Sequence, residues 1–319
     1  MTTPEVYRRM AAEELRGLSP SYEALCLGVS ADAAVIARLD SLPGPKRQPN
    51  LLLAAVRFLD GPIADFAAFR SFVIDRWEDV AMTMLERRTQ TNEAGRCAVL
   101  LPALAAAGRP LALLEVGAAA GLCLFWDRYE YRYSTTAGEH RLGASTAVLP
   151  CAVTGPAPLP GELPRVIWRA GLDLHPLDVC DDADVRWLEC LVWPEHAERF
   201  ARLRAAVDIA RADPPHIATG DLLTDLPAVA AQAPAEATLV VFHSAVLAYL
   251  DAEVRAAFVR TVRDLAAARA LVWLSNEAPA VVPGTDVGRD GPSRFVLARD
   301  GVPVALTQPH GSALTWLRP

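Results

Sequence analysis

The sequence predicts an α/β fold: a largely parallel sheet of about seven strands with helices on both faces, an N-terminal helical region and an inserted β-rich segment. Three observations predict it. From Leu111 onward, short apolar runs alternate with helical periods. Before that point the periodicity is helical throughout. Between residues 129 and 164, aromatics, Thr, Gly and Pro interrupt the alternation. The chain of 319 residues is therefore expected to divide into a helical cap region over 1–108 and an α/β domain over 109–319, with the insertion inside the second.

Each element has its own signal. Phe66, Phe69, Val73, Trp77, Val80 and Met84 recur at spacings of three and four, one face of a long helix. "LSPSYEALC" and "SLPGPKRQPN" punctuate shorter helices, and a further helix is expected over 94–107, ended by "AGRP". "LALLEV" (111–116) and "RVIWRA" (165–170) read as buried strands. "GAAAGLCLFWDRYEY" reads as a small-residue turn and then an amphipathic helix that leads into the insertion. Val185, Leu188, Val192, Phe200, Leu203, Val207 and Ala210 mark a long helix behind the cap candidates Asp181 and Asp182, with Trp193-Pro194 as its kink or end. "HIAT" (216–219), "TLVVF" (238–242) and "ALVWLS" (270–275) are further strands. Val254, Phe258, Val262 and Leu265 share a helix face behind Asp251 as N-cap. The tail gives strand–turn–strand with Asp300-Gly301 as the hairpin turn, adding an antiparallel edge strand.

Composition bounds the function. With 52% hydrophobic and 22% charged residues the chain can bury a core. A net charge of −7 leaves no basic footprint for nucleic acid. The six cysteines form no C-x-x-C pair, so no metal site or disulfide framework is expected and a reduced, cytoplasmic setting fits. The first residues are charged throughout, unlike a signal peptide, and no apolar run approaches the roughly 18 residues of a membrane helix. A small molecule is the expected partner, and the oligomeric state stays open.

In an open α/β sheet, ligands bind beyond the carboxyl ends of the strands, near the switch point. The loop after the first strand reads Glu115-x-Gly117-x-Ala119-x-Gly121. It lacks the G-x-G-x-x-G spacing of a dinucleotide loop. With its acid two residues before the first glycine, it resembles the E-x-G-x-G-x-G loop of Rossmann-like S-adenosylmethionine (SAM) methyltransferases, Ala119 replacing the middle glycine. SAM carries no pyrophosphate but has a cationic ammonium and sulfonium, which an acid can orient. Asp173, in "GLDLHPLDV", stands where those enzymes place the acid that grips the ribose hydroxyls. Gly220-Asp221-Leu222, after the third strand, resembles the loop that contacts the adenine amine. Each acid could instead be a turn or cap residue; three in order at three successive strand ends favour SAM. The separation of Glu115 from Asp173 exceeds the roughly 20 residues of a compact unit, and the insertion must account for the excess.

Longer runs resemble a bacterial family of about this length known as a domain of unknown function: "QTNEAGRCAVLLPAL" (90–104), "LLEVGAAAGLCLFWDRYEYRY" (113–133), "RAGLDLHPLDVCDDADVRWLECLVWPEHAERFARLRAA" (169–206) and "VVFHSAVLAYL" (240–250). That family is similar to SAM-dependent methyltransferases with an added N-terminal helical region. The resemblance spans nearly the whole chain. It implies SAM as cofactor, with Asn92 and Arg96 of the Q-T-N-E-x-G-R run beside it. Read from its residues, that run is an N-cap, with Thr91 or Asn92 opening the helix and Glu93 near its positive end, or a polar lid over the cofactor.

Methyl transfer is an in-line displacement, and a base is needed only for oxygen, carbon or protonated nitrogen acceptors. His243, one residue past the fourth strand's apolar run, is the first candidate base; a buried, hydrogen-bonded histidine is the alternative. Tyr249 and Glu277 are the other catalytic candidates, set against a helix-packing tyrosine and a solvated loop acid. The expected function is a SAM-dependent methyltransferase acting on a small molecule in a pocket between the helical cap and the strand ends. The alternative is a non-catalytic SAM- or nucleoside-binding protein whose helical region binds a partner.

Overall fold

The computed structural model describes residues 1–104, 110–287 and 295–317. The chain forms two compact units: Met1–Thr91 with Asp181–Ala201, and Asn92–Cys180 with Arg202–Pro319. The boundary expected at 109 lies outside the described residues, as does the end of the helix expected over 94–107. The described part of that helix is Arg96–Leu100 followed by a 3₁₀ turn, Leu101–Leu104. No helix among the described residues is long and apolar enough to cross a membrane.

The first unit is helical. Its apolar stretch over 66–84 is two helices, Phe66–Asp75 and Trp77–Glu86, broken at Arg76. The periodic face survives the break, with Phe69, Val73, Val80 and Met84 all buried. Asp181 caps the helix Asp182–Leu191 by accepting from the N–H groups of Ala183 and Asp184. The long helix expected there is two, because the chain leaves helical geometry before Trp193-Pro194 and resumes at Ala197. Side chains explain why 181–201 belongs with the N-terminal helices. Trp187 meets Phe58 edge-on at 5.7 Å and donates to the Arg88 carbonyl at 2.8 Å. Arg57 donates to the Cys190 carbonyl at 3.1 Å.

The second unit holds one sheet of eleven strands among the described residues. They are β1 (Leu111–Val116), β2 (Glu130–Thr135), β3 (Gly138–Leu142), β4 (Val148–Thr154), β5 (Val166–Asp173), β6 (His216–Thr219), β7 (Thr238–Ser244), β8 (Leu271–Glu277), β9 (Phe295–Arg299), β10 (Val302–Thr307) and β11 (Ala313–Trp316). Their order is β3-β2-β4-β11-β10-β9-β8-β7-β1-β5-β6. The run β6-β5-β1-β7-β8 is parallel and follows the 3-2-1-4-5 order of doubly wound sheets.

Seven strands is therefore an underestimate: the insertion supplies three of the four further strands, and β11 in the tail is the fourth. The insertion contributes β2, β3 and β4, and β4 pairs in parallel with β11. The C-terminal hairpin consequently lies inside the sheet. Its turn is as expected: Asp300 (φ 54°) and Gly301 (φ 81°) are both left-handed, as a two-residue type I′ turn requires.

Alternation along the strands separates two faces. Leu114, Val116, Leu239, Val241 and Trp273 face a core closed by Phe258, Val259 and Val262 of the helix Ala252–Ala268. The opposite face carries Glu115 and Phe242. Phe242 packs on Trp126 at 5.0 Å. Beside it Tyr129, Tyr131 and Tyr133 are fully buried, and their hydroxyls donate to the carbonyls of Leu122, Trp126 and Ala98.

Candidate functional site

β1 lies between β5 and β7, and the chain crosses from one side of it to the other between β6 and β7. That makes the carboxyl ends of β1 and β7 the switch point, where open α/β sheets bind ligands. The backbone there is unusual. Gly117, Ala119 and Gly121 all take left-handed φ values (70°, 49° and 72°), and so does Ala245 just past β7 (60°). A non-glycine residue in that region costs about 1–3 kcal/mol and persists only where its surroundings over-determine it. Here they do. Ala119 donates its N–H to Asp173 at 2.8 Å and accepts from Leu177 at 3.0 Å. Leu122 N–H donates to Asn92 Oδ1 at 2.8 Å.

The amphipathic helix expected after this loop is absent; a single 3₁₀ turn, Leu122–Leu124, follows. The side chains explain it. Leu122, Cys123, Leu124, Phe125 and Trp126 are all buried, so no polar face is left to turn outward.

Asp173, at the end of β5, clasps the loop with both oxygens, accepting from Ala119 N–H and His175 N–H at 2.8 Å each. Its carbonyl receives Gly220 N–H at 3.0 Å, which ties the loop after β6 to the same place. Within that loop Asp221 closes a turn, accepting from Leu223 and Thr224 N–H at 2.8 and 3.3 Å. Leu222 packs half-buried on the core of the sheet.

Glu115 is buried, and among the described residues its Oε2 has no partner. Burial, with the Cys123 thiol and Asp173 adding to it and Arg96 opposing, holds its carboxyl well above the usual value. Below about 4.5 the group is neutral in both folded and unfolded chains. As pH rises further, the unfolded chain ionises first, so Glu115 withdraws stability until its own raised value is passed. Glu115→Gln is expected to gain about 0.5–2 kcal/mol at neutral pH, the usual gain on relieving a functional compromise. Urea unfolding at pH 5 and pH 7 checks this; an unchanged pH slope counts against it.

The Q-T-N-E-x-G-R run is neither a cap nor free. The helix begins at Arg96 with Gly95 at its N-cap and no side-chain cap bond. Asn92 instead holds the loop, as above. Glu93 accepts from Gly95 N–H at 3.0 Å and pairs with Arg202 at 2.8 Å. The buried Arg96 donates to Ser244 O at the end of β7 and to Pro309 O between β10 and β11, both at 3.0 Å.

The three catalytic candidates separate. His243 does not face the strand ends. It shares the core face with Trp273, wholly buried, and both ring nitrogens are engaged. Trp273 N–H donates to Nε2 at 3.1 Å, which puts the ring proton on Nδ1, 2.8 Å from Glu277 Oε1. Glu277 is no solvated loop acid. It is buried at the end of β8 and also accepts from Val246 and Leu247 N–H at 2.9 and 3.1 Å. Burial alone would raise its carboxyl; the bonds from His243 and the two backbone groups outweigh that and hold it below the usual value. Tyr249 is not packed on the sheet: in the 3₁₀ turn Leu247–Tyr249 it is 74% exposed.

A family model described as an uncharacterised protein conserved in bacteria (DUF2332) matches residues 4–316. The chain belongs to the DUF2332 family. No curated protein matches the sequence. In this DUF2332 protein the fold brings Glu115, the 117–121 loop, Asp173, Asn92 and Arg96 to one end of the sheet. It sets His243 and Glu277 on the opposite face of the strands from Glu115. Sequence reasoning missed Ser244, Asn276 and Thr307, a buried chain in which Asn276 donates to Ser244 Oγ at 2.9 Å and Thr307 donates to Asn276 at 2.6 Å. The available signal was the polar run "SNE" closing an apolar strand.

Proposed function

We propose that the crevice at the ends of β1 and β7 binds SAM and that this DUF2332 protein transfers its methyl group to a small-molecule acceptor in the cytoplasm. The observation that carries the reading is the switch point itself. There a buried, unpartnered Glu115 oxygen underlies a loop held left-handed at Gly117, Ala119 and Gly121. An orphaned buried acid beside a strained loop fits a ligand with a cationic amino-acid end. Asp173 would meet the ribose, Asp221 and Leu222 the adenine side, and Asn92 and Arg96 would hold the loop and strand end around it. When bound, SAM supplies a methyl group on a positive sulfur with a neutral leaving group. The chain then has to orient an acceptor in line with it, and proximity supplies most of the acceleration. With His243 and Glu277 engaged in the core, an acceptor that is already nucleophilic fits best. A net charge of −7 favours a small molecule over nucleic acid. The enclosure of His243 also favours the second reading, a SAM-binding protein without catalysis.

Calorimetric titration with SAM and S-adenosylhomocysteine tests the proposal. Binding of both is expected, and no binding of either to folded protein sinks it. Asp173→Ala should cost about 1–3 kcal/mol of that affinity, by freeing the loop and removing the ribose partner. Unchanged affinity would place the ribose elsewhere.

A further inference from the structure

We propose that Glu277 is the positioning residue of the ligand crevice: through the N–H groups of Val246 and Leu247 it holds the loop after β7 against Gly117. The inference rests on the SAM reading of that crevice and assigns what keeps one of its walls in place.

The loop begins at a strained position, Ala245. Five hydrogen bonds hold it, from two elements, β8 and the helix Ala252–Ala268. Asn276 O accepts from Ala245 N–H at 3.1 Å. Glu277 Oε1 accepts from Val246 and Leu247 N–H. From the overlying helix, Arg255 donates to Ala248 O at 3.2 Å and to Leu250 O at 2.8 Å. Of these bonds, one from Glu277 falls on Val246, the residue that reaches the glycine loop; the Val246 carbonyl also accepts from Tyr249 N–H at 3.3 Å, and its side chain packs on the core. A Cβ built on Gly117 would meet Val246 Cγ2 at 2.5 Å, so the Val246 side chain occupies the space that a larger residue at 117 would need. The position of Val246 thus sets the space left beside Gly117, and the Glu277 bonds fix the backbone that carries it.

A neutral side chain would do this less well. Hydrogen bonds to an ionised acceptor are roughly twice as strong as neutral ones. Three donors converge on one oxygen: the two backbone groups and His243 Nδ1–H. Trp273 contributes at one remove, because its N–H on Nε2 fixes the tautomer that turns the His243 proton toward Glu277. Phe258 closes the far side of the His243 ring edge-on at 5.3 Å. The pair that looks like a catalytic dyad thus spends its hydrogen bonds on shape. Its consequence reaches the glycine loop at the strand ends through the backbone of 245–247.

The test compares wild type with Glu277→Gln and Glu277→Leu. Amide hydrogen exchange reads the loop and calorimetry reads SAM. Gln keeps an acceptor without the charge; Leu accepts nothing. The expected result is graded. In Glu277→Gln the amides of Val246 and Leu247 exchange faster while those of Leu239–Phe242 stay protected, and SAM affinity falls about tenfold. In Glu277→Leu both changes are larger. A merely structural role would loosen the loop and the sheet together, and that result overturns the proposal. So does a Gln variant with faster loop exchange but wild-type SAM affinity. If both variants fail to fold, the protein is tested intact with Val246→Ala, which leaves Glu277 untouched: an unchanged SAM affinity overturns the proposal and a weakened one supports it. Wild-type protein that binds no SAM overturns the cofactor reading and this inference with it. Wild type that binds while the variants bind equally overturns the inference alone.

Discussion

Gly311→Ala is expected to destabilise the protein by about 4 kcal/mol or more, beyond what ordinary substitutions cost. Two causes add. Gly311 has φ +82°, where an L side chain is strained by about 1–2 kcal/mol. A Cβ there would also lie 1.9 Å from Gly95 O, 2.2 Å from Gly95 C and 2.7 Å from Arg96 N. All three are backbone atoms, so no rotamer change relieves the overlap. The contact is reciprocal, since a Cβ on Gly95 would meet His310 O at 2.6 Å. The turn between β10 and β11 therefore lies backbone to backbone on the segment that opens the Arg96 helix. Gly284 is the control: its φ is +87°, but no atom of the described residues lies within 4 Å of its Cβ position. Gly284→Ala should show the backbone strain alone, about 1–2 kcal/mol. Urea unfolding of both variants isolates the close approach as their difference. Equal losses would mean that the two backbones are not in contact.

The limits of sequence reading follow from how local each signal is. β7 and β8 were legible because a strand buried on both faces is a continuous apolar run bounded by turns. Asp300-Gly301 was legible because a two-residue turn with both φ values positive selects those residues. The failures all involve a partner distant in sequence. Nothing in Val148–Thr154 says that it will pair with Ala313–Trp316, so the insertion was not counted with the sheet. "LCLFW" has the composition of a helix, but Tyr129 and Tyr131 bond its carbonyls and Phe242 of β7 packs on Trp126. At the site, the acids at the ends of β1 and β5 were legible from their place after apolar runs. What they touch was not: Asp173 reaches back 54 residues to Ala119. For His243 the sequence leaves a base and a buried, hydrogen-bonded histidine both open for the same reason. Its surroundings are set by Trp273 and Phe258, and period-2 alternation does not say which face those residues will cover.

Arg96→Ala is expected to cost about 3–5 kcal/mol, and Arg96→Lys about half as much. The buried guanidinium donates to carbonyls on two separate elements, Ser244 O and Pro309 O, both at 3.0 Å. Hydrogen bonds to a charged donor contribute about 1.5–3 kcal/mol each, and deletion removes that donor from the buried Ser244 carbonyl and the part-buried Pro309 carbonyl. Lysine keeps the charge but offers one compact ammonium in place of a planar fork, so it cannot span both acceptors. The graded loss follows from that geometry and is read by urea unfolding. A lysine variant as stable as wild type would mean that charge, not the fork, holds the joint. A second consequence follows for Glu115, since Arg96 is the group that lowers its carboxyl against burial. Without the cation, Glu115 should stay neutral to still higher pH, and the fall of stability with rising pH should extend further in Arg96→Ala than in wild type. In Arg96→Lys, which retains a positive charge, that extension should be smaller. The pH series thus separates the two duties of one side chain: joining the end of β7 to the β10–β11 turn, and lowering the carboxyl of the acid beneath the glycine loop against its burial.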